Sequence, residues 1–182
     1  MSKESTSRWD KYFHSICEVV STKSPCLSRK IGAILVRDHS ILSTGFNGPP
    51  RSIPHCGQER FEEDKYLAEI LTSNKEYNDI WRIKDIHTTC PRRLLHFPSG
   101  QGIEFCPAQH AEENVISNAA RLGVITYGST LYMNSVIPCQ KCFGTLINAG
   151  VKNVVINDIR AYDEHTEFLI KHSRINIRKF QL

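Results

Sequence analysis

The stretch from His110-Ala111-Glu112-Glu113 to Val154-Val155-Ile156 decides the fold. Gln109–Leu122 reads as a helix that stops at Gly123, a C-cap residue. Thr130–Met133 reads as a short strand, and Pro138–Ala149 as a second helix with proline in its first turn and Gly150 beyond its end. Val151–Ile156 is a buried-looking strand. Upstream, Ile31–Val36 and Ile41–Thr44 are β-branched runs around Arg37-Asp38-His39-Ser40, which predicts a hairpin. Trp9, Phe13, Ile16, Cys17 and Val20 share one helical face, so residues 8–22 are expected to be helical. Downstream, Tyr162–His172 reads as a helix and Ile175–Phe180 as an edge strand. A hairpin followed by helix-strand units predicts a three-layer α/β/α fold around a mixed sheet.

The same stretch carries chemistry. His110, Cys139 and Cys142 offer one imidazole and two thiolates, and Glu112 adds a carboxylate. A structural zinc closes its shell with four protein ligands, whereas a catalytic one keeps three and leaves a position for water. An isolated Cys-x-x-Cys also suits a structural zinc or a redox pair; the His-Ala-Glu one helix upstream favours the catalytic reading. On an ideal helix Glu112 lies off the face of His110, as a proton-carrying base that is not a ligand requires. Glu113, three positions on, is the geometric rival and would close the site as a fourth ligand.

At 182 residues, with 40% hydrophobic and 23% charged residues, the chain suits one soluble globular domain spanning residues 1–182. A net charge of +4 suits a phosphorylated small substrate without requiring nucleic acid. No apolar run approaches the ~20 residues of a membrane span, and Met1–Arg8 lacks a signal peptide's apolar stretch. An odd count of seven cysteines argues for reduced thiols, hence a cytoplasmic protein with no membrane partner. Residues 51–107 stand apart: charged helix-favouring segments near 58–73 and 75–86, three cysteines, and little periodicity to build a core. They read as an insertion pinned by something other than apolar burial. Cys17 lies on the apolar face of the first helix and is expected in the core.

These residues resemble the zinc-dependent cytidine deaminase superfamily. The pairing of H-x-E with P-C-x-x-C is the known signature of zinc deaminases. Lys30-Ile31-Gly32-Ala33-Ile34-Leu35-Val36 and Ser43-Thr44-Gly45-Phe46-Asn47-Gly48-Pro49-Pro50 are similar to its deoxycytidylate (dCMP) deaminase branch. The resemblance implies a cytidine-deaminase-like fold with a central five-stranded sheet, and a hydrolase of cyclic amidine C–N bonds that converts dCMP to dUMP and ammonia. It implies His110, Cys139 and Cys142 on a catalytic zinc, Glu112 as proton shuttle, and Asn47, Ala111 and Tyr162 against the substrate. Arg29, with Lys30 and Arg51, is the candidate for the phosphate. Some dCMP deaminases hold a second, structural zinc; Cys26 and Cys56 match two of its positions, and Cys90 and Cys106 are expected to complete it, with His55 and His96 in reserve. The resemblance further implies a hexamer regulated by dCTP and dTTP, with Mg2+ accompanying the effector nucleotide. Three rivals remain open. Deamination of dCTP, alone or with dCMP, differs only at the phosphate. Base editing in tRNA or single-stranded DNA would call for a basic groove that this charge disfavours. A non-catalytic nucleotide-binding subunit would have no need of Glu112.

Overall fold

The computed structural model describes residues 3–73, 83–98, 100–161 and 164–182. In chain order its elements are α1 (Lys3–Ser21), β1 (Gly32–Arg37), β2 (Ser40–Phe46), α2 (Gln58–Glu63), α3 (Lys65–Ser73), α4 (Ile83–Thr88) and α5 (Pro91–Leu94), then α6 (Ala111–Arg121), β3 (Thr130–Val136), α7 (Gln140–Asn148), β4 (Asn153–Asp158), α8 (Glu164–His172) and β5 (Asn176–Lys179). They fall into two compact units. One comprises residues up to Ser24, Ile31–Asn47 and His110–Leu182; the other comprises Pro25–Lys30 and Gly48–Gln109.

The first unit is built on a five-stranded sheet in the order β2-β1-β3-β4-β5. β1 runs antiparallel to β2 and β3, whereas β3, β4 and β5 are parallel. Alternation along β1 sorts its side chains to two faces. Ile34 and Val36 meet Phe13 and Cys17 of α1, with Tyr132 and Val155. Ala33 and Leu35 join Leu131, Met133, Val154 and Ile156 against Val115 and Ala119 of α6 and Phe143 and Leu146 of α7. This is the expected three-layer α/β/α arrangement with a mixed five-stranded sheet. The hairpin turn falls at Asp38 and His39, with φ of 51° and 60°, a left-handed pair that matches the twist of the flanking strands. Asp10, fully buried on α1, accepts both terminal guanidinium nitrogens of Arg178 on β5, at 2.6 and 2.9 Å, and the Gln181 N–H at 2.8 Å.

Two local departures from the sequence reading matter for the site. β3 runs on to Val136, with a register shift against β4 between Met133 and Val136. There the Asn134 side chain, rather than backbone, accepts the Gly32 N–H at 2.7 Å. Such an irregularity re-aims the chain that follows, which here is Ile137-Pro138-Cys139. α7 begins at Gln140 with Cys139 as its N-cap, so Pro138 precedes the helix instead of opening it.

The second unit corrects the expectation that its residues are held without apolar burial. Leu67, Leu71, Ile86 and Leu94 form a small buried cluster, flanked by Phe61, Leu95 and Phe105. The pattern escapes a helical window because the chain breaks at Asp64 and again within residues 83–95. Asp64 has ψ of 85°; its Oδ1 accepts the Leu67 N–H at 3.0 Å and its Oδ2 accepts the Arg60 Nε–H at 3.1 Å. One expected segment thus becomes α2 and α3, set by a side chain that caps one helix and tethers the other. The expected helix at 75–86 lies largely outside the described residues, apart from the start of α4. Among the described residues no helix is long and apolar enough to cross a membrane.

Candidate metal centre and active site

Two helix N-termini in the first unit bring the donor atoms together. His110 is the N-cap of α6, in extended conformation at φ −73° and ψ 159°. Cys139 is the N-cap of α7, at φ −64° and ψ 165°. Extended caps turn these side chains off the helix axes and toward each other, while Cys142 follows on the first turn of α7. His110 Nδ1 stands 3.6 Å from Cys139 Sγ and 3.3 Å from Cys142 Sγ, and the two sulfurs are 3.4 Å apart. Ligands held about 2.0–2.3 Å from a tetrahedral zinc stand roughly 3.3–3.8 Å from one another, so the donor set fits that ion. Among the described residues, these three form the group of three or more such side chains whose ligand atoms lie within 4.8 Å.

Electrostatics agree with the geometry. Cys139 is held well below the ordinary thiol value, at about 4, chiefly by the hydrogen bond from Cys142 and then by His110. Cys142 is pushed up, by Cys139 first and burial next. His110 is raised to about 11, by Cys139 first and Glu112 next. Protons shared so unevenly among three close donors are what a divalent cation displaces.

The two glutamates separate cleanly. Glu113 Oε2 turns back to accept the His110 N–H at 3.1 Å, capping α6 and keeping that carboxylate on the backbone. Glu112, 4% exposed, places Oε1 3.7 Å from His110 Nδ1, beside the donor group. Ala111 is wholly buried between them. Asn47 is also buried; its Oδ1 accepts the Ile31 N–H at 2.8 Å. The Ser24 hydroxyl lies 2.7 Å from the Asn47 carbonyl and 2.8 Å from its Oδ1, so that acceptor is turned into the protein.

Other expected site residues lie elsewhere. Tyr162 is outside the described residues. Arg29, Lys30 and Arg51 are exposed in the second unit. Cys26, Cys56, Cys90 and Cys106 all fall in that unit as well. Burial raises Cys56, Arg60 counters it, and the nearby Cys106 and Cys90 add to the rise. Those thiols lie within electrostatic range, but among the described residues they form no second group like that of His110. The sequence reading missed Ser24, Asn114 and Asn134. Only Asn114 carried a signal: asparagine is a poor helix interior residue, and it sits one turn past the histidine.

Helix N-termini that present His-x-Glu and Cys-x-x-Cys beside the strands of a mixed sheet define a class of zinc-binding α/β deaminases. The chain belongs to the cytidine and deoxycytidylate deaminase family, whose zinc-binding region matches residues 7–158. It is 26% identical over 172 residues to a deoxycytidylate deaminase of Schizosaccharomyces pombe, covering 94% of this chain and 44% of that protein. It is 29% identical over 152 residues to the deoxycytidylate deaminase of Mycobacterium phage D29, covering 81% of this chain and 92% of the phage protein. The chain therefore spans less than half the length of the yeast relative. The dCMP deaminase of cyanophage S-TIM5, solved in complex with dCMP and dUMP, shares the fold at a TM-score of 0.60 and 22% identity, over 93% of this chain and 94% of that one.

Proposed function

We propose that this chain is a zinc-dependent hydrolase that deaminates dCMP to dUMP and ammonia. One observation carries the reading: His110 Nδ1, Cys139 Sγ and Cys142 Sγ converge at zinc spacing, with a buried carboxylate beside them that is not one of the three. Zinc bound by these three residues supplies Lewis-acid activation of a water, lowering its pKa toward about 7. Glu112 takes a proton as the water oxygen adds to C4 of the cytosine ring, and protonates the ring nitrogen. It then takes the remaining proton from the hydroxyl added at C4 and delivers it to the amino group, so the C4–N bond breaks as the C4=O carbonyl forms and ammonia leaves. Burial of Glu112 keeps bulk water from competing for that proton.

The substrate contacts belong to the same proposal. Asn47, fixed through its Oδ1, meets the deoxyribose, Ala111 lines the pocket, and Tyr162 packs on the pyrimidine. Arg29, with Lys30 and Arg51, meets the phosphate. Cys26, Cys56, Cys90 and Cys106 hold a second zinc in the second unit, a reading supported by their sharing that unit and by the influence of Cys106 and Cys90 on Cys56. The test is to incubate the chain with dCMP, dCTP, CMP and cytidine, beside Glu112→Ala. Uracil product from dCMP alone, lost in the variant, is expected. Activity retained by Glu112→Ala overturns the mechanism, and activity confined to cytidine overturns the substrate.

A further inference from the structure

β2 is an edge strand, yet it is not left open, because α6 is laced along it. Asn114 Nδ2 donates to the Phe46 carbonyl at 2.7 Å, and Asn118 Nδ2 donates to the Thr44 carbonyl at 2.9 Å. In return the buried Ser43 hydroxyl donates to the Val115 carbonyl at 2.9 Å. The spacing explains why two asparagines serve. Four helical residues rise about 6 Å and two strand residues about 6.8 Å, so an i, i+4 pair on the helix meets an i, i+2 pair on the strand. Backbones close enough for this need Gly45 between them: a Cβ there would stand 2.3 Å from Val115 N and 2.6 Å from Ala111 O. Asparagine is unfavourable inside a helix and prefers caps and turns, so propensity does not explain the pair.

The two rungs differ in what they hold. Asn118 lies two turns into α6 and grips the middle of β2. Asn114 lies on the first turn, directly after Glu112 and Glu113, and grips the carbonyl immediately before Asn47. We propose that Asn114 is a positioning residue: through the Phe46 carbonyl it fixes the His110 and Glu112 turn at a set height against Asn47, while Asn118 supplies stability alone. The kinetic consequence rests on the deaminase reading above; the effect on metal geometry does not.

Asn114→Asp and Asn118→Asp test this, since each keeps the shape of the side chain but replaces its donor with a carboxylate facing a carbonyl. Asn114→Ala runs beside them to remove the donor without adding charge. Thermal midpoint, the visible absorption of the cobalt(II)-substituted chain, and kcat and KM for dCMP are measured. Both rungs should lower the midpoint similarly. Only the Asn114 variants should alter the cobalt spectrum and reduce kcat/KM, by about 10- to 100-fold, the scale of a misplacement near 1 Å. Asn114 variants with wild-type cobalt spectra and kcat/KM overturn the proposal, as do Asn118 variants that change both to the same degree. The cobalt arm needs no substrate, so a wild-type chain inactive on dCMP would sink the proposed function while still judging the clamp.

Discussion

In the first unit the apolar core runs the length of a sheet sandwiched by helices, from Leu35 and Leu131 through Ile156 to Phe143 and Leu146. In the second unit four buried side chains, Leu67, Leu71, Ile86 and Leu94, hold several short helices. The contrast extends to the thiols. Cys139 and Cys142 are placed by the start of a helix that is rooted in a strand, so they converge with His110 by backbone geometry. Cys26, Cys56 and Cys106 sit outside regular helices and strands, and Cys90 only caps the four-residue α5. A core this small rarely supplies more than about 3–5 kcal/mol, which is the situation in which a metal adds folding free energy directly. A site preformed by a large core differs physically from the second zinc site proposed above, which would have to help hold its own support.

The comparison breaks most sharply at Glu112, which should matter for chemistry and little for folding. Glu112→Gln is expected to lower kcat by about 10²–10⁴-fold without lowering the thermal midpoint, since a buried carboxylate becomes a neutral amide of the same shape. A large loss of stability would mean the carboxylate is structural. Next come matched cavities. Leu131→Ala and Leu71→Ala each remove a fully buried side chain at about 2–5 kcal/mol. Leu131→Ala should lower the cooperative melt of the whole chain, whereas Leu71→Ala should appear first as proteolytic cuts within residues 48–109. Equal shifts of one shared melt would show that the units unfold as one. The proposed second zinc sharpens the same point: near two zinc ions per chain are expected, and a value near one that persists with zinc in the growth medium sinks the structural site.

Legibility in the sequence divides along the same line. Periodicity gave the first unit because a large sheet imposes alternation on β1 and helical spacing on α1, α6 and α7. Motif spacing placed His110, Cys139 and Cys142 together because helix N-termini are predictable positions. The His-x-Glu spacing favoured Glu112 but left Glu113 as a geometric rival, since what occupies Glu113 is its bend back to the His110 N–H, a rotamer rather than a pattern. The core of the second unit was hidden because Asp64 interrupts it, and because its three leucines and one isoleucine are gathered from helices that each contribute one or two residues. Ser24 was invisible for a plainer reason: its partner lies 23 positions away in a loop.

That serine gives the smallest predicted effect, and it tests whether the first unit prearranges substrate contacts as well as metal ligands. Ser24 is 2% exposed and, with the Ile31 N–H, fixes the Asn47 carboxamide. Ser24→Ala removes one of these two donors and leaves the backbone bond, so the cost to stability should be only about 0.5–1.5 kcal/mol. If Asn47 binds the deoxyribose, a less firmly held carboxamide should raise KM for dCMP severalfold while kcat changes little, because the chemistry at Glu112 is untouched. A fall in kcat at constant KM would instead show that Ser24 acts on the helix turn carrying His110. No change in either would confine Ser24 to closing the loop.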